Sequence, residues 1–291
     1  MASRIARMLL ALTIVLFVAG AWTRDEIDSA DTIAMLIELS GRVETQVDGR
    51  PVSVSMLAEF VPGSRLRLHK DAKVLLLFYR SGEQYAVGGP SLIRFHRAGL
   101  EALSGSEPVR KPALQGKDGR TLTVRAAGVA QAGMVVRGSN RPISPLNPAG
   151  AITLEPRPTF RWREFEAGIE YHFILRDSNG RILLDRVTRG GSLELPAQVA
   201  LGEGEHYRWS LSARAPDGAY YALNQKLSLA DPGMRSDVEN FRPGADAIAG
   251  DRIVFAVWLE QAGLKDEAAR YWRELAVSGL RVPPDKIEPG W

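Results

Sequence analysis

The chain has four histidines, His69, His96, His172 and His206, and no cysteine. No two histidines stand as H-x3-H, the spacing that puts two rings on one helix face to share a metal, and no H-E-x-x-H occurs. Each reads as a strand or turn residue. The missing thiols remove disulfides, thiolate zinc sites, iron–sulfur clusters, cysteine nucleophiles and lipid attachment at an N-terminal cysteine. No G-x-S-x-G elbow presents a serine nucleophile. Gly202-Glu203-Gly204 has Tyr207 where a dinucleotide loop needs its third glycine, and reads as a turn before a strand. Asp177-x-Asn179-Gly180 opens like a calcium loop, but its glycine comes too early, so it reads as a hairpin turn. Glu164, Glu166 and Asp185 are the carboxylates nearest to a glycosidase pair, and their spacing does not set two of them across a sugar. The expectation is a protein that is not an enzyme, with no catalytic residue, no cofactor and no metal site.

Aromatic and basic side chains remain for recognition. Tyr220 and Tyr221 are adjacent, so on a strand one of them points outward. Trp258, Tyr271 and Trp272 recur at helical spacing near the C-terminus and are further candidates for contact with a protein partner. Arg161, Arg163, Arg176, Arg208 and Arg214 either gather on one basic face or simply occupy the outward positions of alternating strands.

The elements that must position these residues follow from pattern. The chain has 291 residues, with 28 glycines and 17 prolines, which suits many short strands joined by tight turns. Of its 37 lysines and arginines, Arg4 and Arg7 lie in an N-terminal leader; the other 35 face 34 acidic residues, so no nucleic-acid partner is implied. Residues 31–97 predict a β domain with strands at Ile33–Leu39, Arg42–Val47, Arg65–Leu68, Val74–Tyr79, Gln84–Val87 and Leu92–Phe95. Val43, Thr45 and Val47 alternate with polar residues, as in a half-buried strand. Val74-Leu75-Leu76-Leu77-Phe78 is continuous, as in a strand covered on both faces. Residues 98–150 read as a linker with possible extra strands at Thr121–Arg125 and Met134–Arg137, closing on a proline-rich joint. Residues 151–230 show six or seven strands with period-two alternation, among them Tyr171-Phe173-Leu175 and Tyr207-Trp209-Leu211-Ala213, the pattern of a β-sandwich whose core takes Trp162 and Trp209. Residues 231–250 read as a second linker. Over 251–279 the period becomes 3.6, with Asp251 expected to cap a first helix, Gly263 to end it and Gly279 to follow a second. Residues 280–291 read as a loose tail. The expected class is mostly β with a C-terminal helical hairpin.

Three stretches resemble known families. Ser40-Gly41-Arg42-Val43, the turn at Gly49-Arg50-Pro51, Val61-Pro62-Gly63-Ser64, Ala72-Lys73-Val74-Leu75 and Ser81-Gly82-Glu83 follow the order of the FecR-type extracytoplasmic domain, with Ser64 and Ser81 where that family usually carries aspartates. Pro158-Thr159-Phe160-Arg161-Trp162 and His206-Tyr207-Arg208-Trp209-Ser210-Leu211 resemble strands of immunoglobulin-like or fibronectin type III sandwiches in exported bacterial proteins. The spacing of Trp258, Leu259, Gly263, Ala268, Tyr271 and Leu275 resembles a single tetratricopeptide hairpin. The FecR likeness implies work outside the cytoplasm. Such a hairpin cannot cover its own apolar face, so it is expected to dock on the sandwich of its own chain or, alternatively, on a partner that carries further repeats.

The first 21 residues carry the order of a Sec-type signal peptide: Arg4 and Arg7, the apolar run Met8 to Val18, then Ala19-Gly20-Ala21 ahead of Trp22. Met8 to Trp22 spans 15 residues, short of the ~20 that cross a bilayer as a helix. Cleaved or retained as an anchor, the leader puts the remainder in the periplasm or outside the cell, and the membrane is touched only through an uncleaved leader. The expected function is an exported binding or scaffolding protein of the envelope, its partner an envelope protein or glycan. The alternatives are a FecR-type signalling regulator held by its anchor and an envelope glycan hydrolase. N-terminal sequencing of the protein from the envelope fraction should begin at Trp22; a chain that begins at Met1 or Ala2 replaces cleavage with the anchor.

Overall fold

The computed structural model describes residues 32–47, 49–126, 141–165 and 168–287. Ala19, Ala21, Trp22 and the strand expected at Met134–Arg137 lie outside these residues. The fold is mostly β, with two pairs of packed sheets and a short helical layer.

The first pair comes from ten strands: β1 (Ala34–Ser40), β2 (Val43–Val47), β3 (Arg50–Ser53), β4 (Glu59–Phe60), β5 (Arg65–Leu68), β6 (Lys73–Phe78), β7 (Gln84–Gly88), β8 (Ser91–His96), β9 (Gly99–Gly105) and β10 (Val109–Lys111). One sheet runs β10-β7-β6-β1-β4 and the other β3-β2-β5-β8-β9, with every pairing antiparallel. Between them lies a core in which Leu36, Val74, Leu76 and Phe78 of one sheet meet Leu66, Leu68, Ile93 and Phe95 of the other. The residues that alternate with them, Met35, Ile37, Leu75, Leu77 and Tyr79, point to the opposite face and into a different core. The unbroken apolar run on β6 thus serves two cores at once, odd positions on one side and even on the other. Residues 99–111, expected as linker, complete both sheets: β9 pairs β8 and β10 pairs β7. Their glycines, serines and charges occupy edge positions, where burial makes little demand on sequence. Thr121 makes one isolated bridge to Gln115 instead of opening a strand, while Leu122 and Val124 are buried.

The second pair comes from β11 (Arg141–Pro142), β12 (Pro145–Asn147), β13 (Ile152–Thr153), β14 (Thr159–Trp162), β15 (Glu170–Asp177), β16 (Ile182–Arg189), β17 (Ser192–Glu194), β18 (His206–Arg214) and β19 (Tyr220–Leu229). The larger sheet is β11-β19-β18-β15-β16, with β13 also pairing β19; the smaller is β12-β14-β17. Trp162 and Trp209 are both buried between them, 2% and 1% exposed, with Phe160 edge-on to Trp209 at 5.1 Å.

The helices are α1 (Pro232–Phe241), α2 (Ala249–Gln261), α3 (Lys265–Val277) and α4 (Pro284–Ile287). Helix α1 stands where a linker was expected. Asp231 caps it, its side chain accepting from the Met234 amide, and Pro232 opens it. Asp251 lies within the first turn of α2 and does not cap it; the N-cap is Ile248. Both longer helices end on a left-handed glycine: Gly263 and Gly279 let Leu264 and Leu280 donate back to Leu259 and Leu275 at 2.9 and 3.1 Å.

The hairpin does not dock on the second sandwich, as expected, but on the free face of the sheet β10-β7-β6-β1-β4. There Ile253, Val254, Phe255, Val257 and Trp272 join Met35, Ile37, Leu75 and Leu77, with Val238 and Phe241 of α1 beside them. The second sandwich touches this layer at the α2–α3 turn, where Ile152 lies against Gly263 and the Ala149 amide donates to Asp266 at 2.9 Å, and at α1. The α2 approach to the sheet is close. A Cβ on Gly250 would sit 2.5 Å from Leu75 Cδ2 and 3.0 Å from Gln84 Oε1. In a free helix Gly→Ala gains about 1 kcal/mol; here forced repacking costs about 1–3 kcal/mol, so Gly250→Ala should lower the melting temperature. A raised midpoint would show that α2 does not press on the sheet in this way.

Candidate functional site

A cleft of about 1300 Å³ opens at the end of the sheet β10-β7-β6-β1-β4. Three kinds of segment wall it. The first is the strand ends: Glu38 to Gly41 of β1, Lys73 to Leu75 of β6 and Ala86 to Gly88 of β7. The second is the edge strand β10, which pairs β7 on one side only and leaves Val109 62% exposed. The third is the chain from Ser278 to Pro284 after α3, a strap across the mouth.

Local sequence explains each wall. A bulge in β1 between Leu36 and Glu38 sets Glu38 opposite Leu75, whose side chain faces the helices, so the carboxylate turns out of the inner core toward the cleft and the start of α2. Gly279 reverses the chain at the end of α3, and Leu280 and Val282 then tack the strap onto the helical core. The expected loose tail is held further on: α4 is tied to α2 by Lys286 Nζ to Glu260 Oε2 at 2.7 Å, and the other oxygen of Glu260 accepts from the Trp272 indole at 2.9 Å. The cleft floor is apolar, from Met56, Leu75, Val87 and Leu280, and its rim carries Lys73, Lys111 and Arg281 against Glu38 and Glu107. Among the described residues none of these five ions is paired. An open strand edge beside an apolar floor and ions of both signs is chemistry for an extended polypeptide: backbone groups pair with the edge and alternate side chains enter the floor.

Titratable groups elsewhere form small groups of two or three. His69 Nε2 lies 2.9 Å from Glu44, His96 Nε2 lies 2.8 Å from Glu101, and His172 Nε2 lies 2.7 Å from Asp185. The hydrogen bond from His69, then that from Arg42, holds the Glu44 carboxyl below its ordinary range; His96 does the same for Glu101. Burial, then the Glu59 carboxylate that accepts its hydrogen bond, pushes the Tyr79 phenol well above its ordinary value. Burial also raises the Asp266 carboxyl.

The sequence-selected residues scatter. Tyr220 is exposed at 40%, whereas Tyr221 is half-buried and stacks on Phe165 at 3.6 Å. Trp272 and Tyr271 are buried, and half-buried Trp258 stacks on Phe255 at 5.6 Å, so these three pack in the core between helices and sheet. The five arginines do not share a face. Arg161 and Arg163 line a second cleft of about 590 Å³ between the small sheet and α3, while Arg176, Arg208 and Arg214 stand on the larger sheet. Sequence reasoning missed the large cleft because six separate segments build it and none carries a motif. The nearest signal was Gly279 followed by Pro283-Pro284, which marks a helix end and a stiff strap.

Compared with known proteins, the chain matches no family model, and no curated protein shows significant similarity to it. No helix among the described residues is long and apolar enough to cross a membrane.

The strap depends on Glu260. Glu260→Ala strands the Trp272 indole without an acceptor, and should cost about 1–3 kcal/mol of stability and speed amide exchange over 278–287. Glu260→Gln keeps the acceptor and loses only the partly exposed ion pair, worth about 0–1 kcal/mol. If the two variants melted alike, the indole bond would have no part in holding the layer.

Proposed function

We propose that the protein is an exported, non-catalytic binding or scaffolding protein of the bacterial envelope, with a FecR-like first domain and an immunoglobulin-like second domain, and that the large cleft takes an extended segment of a partner polypeptide. One observation carries this reading. The cleft joins an open strand edge at Val109, an apolar floor and five ions of both signs that are unpaired among the described residues, and its walls come from both the first sandwich and the helical layer. A segment bound there would bridge sheet and strap, the arrangement of a docking groove. The order of the leader residues and the likeness to FecR-type domains supply the extracytoplasmic setting. The tetratricopeptide-like spacing of the helices is put to internal use, since their apolar faces meet the sheet.

A photocrosslinking amino acid at position 109, in the protein expressed in its native envelope, should give one or a few discrete polypeptide adducts. The same probe at Ile182, on the edge strand of the other sandwich, should not give them. Absence of adducts at 109, or the same adducts at 182, would overturn the cleft as the docking site. Turnover of a glycan, ester or peptide by the purified protein, abolished by one carboxylate or serine substitution, would overturn the non-catalytic reading.

A further inference from the structure

The outer face of the larger sheet in the second sandwich carries a charge pattern that the cleft does not use. Burial alternates along β15 and β18, with Tyr171, Phe173, Leu175, Tyr207, Trp209 and Leu211 inward, so Arg176 and Arg208 point out. The register sets Arg176 opposite Arg208, and Arg208 opposite Lys226 of β19. Three cations from three neighbouring strands therefore form one row across the sheet, at the ~4.8 Å spacing of paired strands. Like charges directly opposed weaken a sheet. Even so, among the described residues Arg208 and Lys226 have no ion-pair or hydrogen-bond partner, and Arg176 donates only to the Gly180 carbonyl, at 3.1 Å. The carboxylates of this face are already engaged: Asp185 with His172 and Glu170 with Arg189, each at 2.7 Å, and Asp177 beyond the row with Arg181 at 3.1 Å. Six residues along β18, about 20 Å at ~3.4 Å per residue, Arg214 stands opposite the exposed Tyr220. Ser210, Ser212 and Asn224 lie between the two cationic ends.

We propose that this face binds a linear acidic polysaccharide that carries carboxylates. Guanidinium groups meet carboxylates in the paired, charge-assisted geometry. The serine hydroxyls and the asparagine amide meet ring hydroxyls, and Tyr220 offers a flat apolar surface to a sugar ring. The sheet supplies a long, open track suited to a chain and has no pocket for a single anion. A lipid surface is the poorer fit, because the hydroxyls of Ser210 and Ser212 and the Asn224 amide outnumber the apolar Ile174 and Ala222 between the cations. Nucleic acid is also the poorer fit, because the cationic row sits on a chain whose other charges nearly cancel. The site lies on a different sandwich from the cleft and does not rest on that reading.

Affinity electrophoresis of the purified protein through gels that hold polygalacturonate, with neutral dextran as control, tests it. The wild-type protein should be retarded by polygalacturonate alone, less so as salt rises. Arg208→Ser combined with Lys226→Ser should weaken the retardation at least tenfold. Removing opposed like charges should leave the melting temperature unchanged or raised, which separates a lost site from a lost fold. Arg208→Lys, which keeps the charge, should keep most of the retardation. Equal retardation of wild type and double variant overturns the proposal. So does a wild-type protein that ignores polygalacturonate and binds vesicles rich in phosphatidylglycerol, or oligothymidylate, instead. The double variant should retain its adducts at position 109, so failure of either site is read independently of the other.

Discussion

Everything in this molecule depends on one sheet that is buried on both faces. In β6 the alternate side chains Val74, Leu76 and Phe78 close the first sandwich, while Leu75 and Leu77 receive the helices. An antiparallel sheet of this kind usually leaves one face to water. Here the second face is as apolar as the first, so the helical layer is an obligatory third tier. The approach of α2 follows from the same demand: Gly250 is the residue that lets the helix start lie against Leu75 and Gln84. At that start the Gln84 amide donates to Asp251 at 2.9 Å, a partly buried polar contact between α2 and the sheet.

The helical layer also determines how the two sandwiches are joined. Helix α1 follows β19 almost directly, and its Arg235 donates to the Leu154 carbonyl at 2.7 Å, beside Glu203 at 3.3 Å. On the far side of α1, Asn240 and Asp118 exchange hydrogen bonds, at 3.0 and 2.9 Å, while Arg120 spans Asp118 and Asp237. These contacts hold the Asp118 carboxyl down to about 2, chiefly through Arg120, and they clamp the 116–122 turn onto a helix from the other end of the chain. The large cleft is what remains at the edge of this three-tier arrangement, where the strap after α3 crosses the strand ends.

What could be read from the sequence was whatever depends on neighbours along the chain. The continuous run at Val74 to Phe78 announced two-sided burial, and the alternation at Tyr207 to Ala213 announced an inward Trp209. Gly263 and Gly279 announced both helix ends. The run at 74–78 did not say what would cover the second face, because period-two and period-3.6 apolar patterns carry no address. The hairpin was therefore assigned to the nearer sandwich when it belongs to the farther one. Helix α1 was hidden by Gly233 and by its charges, although Asp231-Pro232 is a start signal of known mechanism. The edge strands β9 and β10 were hidden because edges tolerate glycine, serine and charge. The candidate sites were the least legible. Arg176, Arg208 and Lys226 become a row only through register, and Val109 and Leu280 come to line one cleft only through docking.

The cover of the first domain is made last. During synthesis the strands β1 to β10 can pair and close their inner core while Met35, Ile37, Leu75 and Leu77 still face water. Their partners on α2 and α3 arrive only after the whole second sandwich has followed. Over that interval the chain carries a half-finished domain with an apolar sheet exposed, the kind of surface that chaperones hold and that proteases and aggregation exploit. A product cut short between Leu229 and the start of α2 at Ala249 lacks that cover. The helices α2 and α3 are therefore the late-made cover of a sheet that the chain builds first.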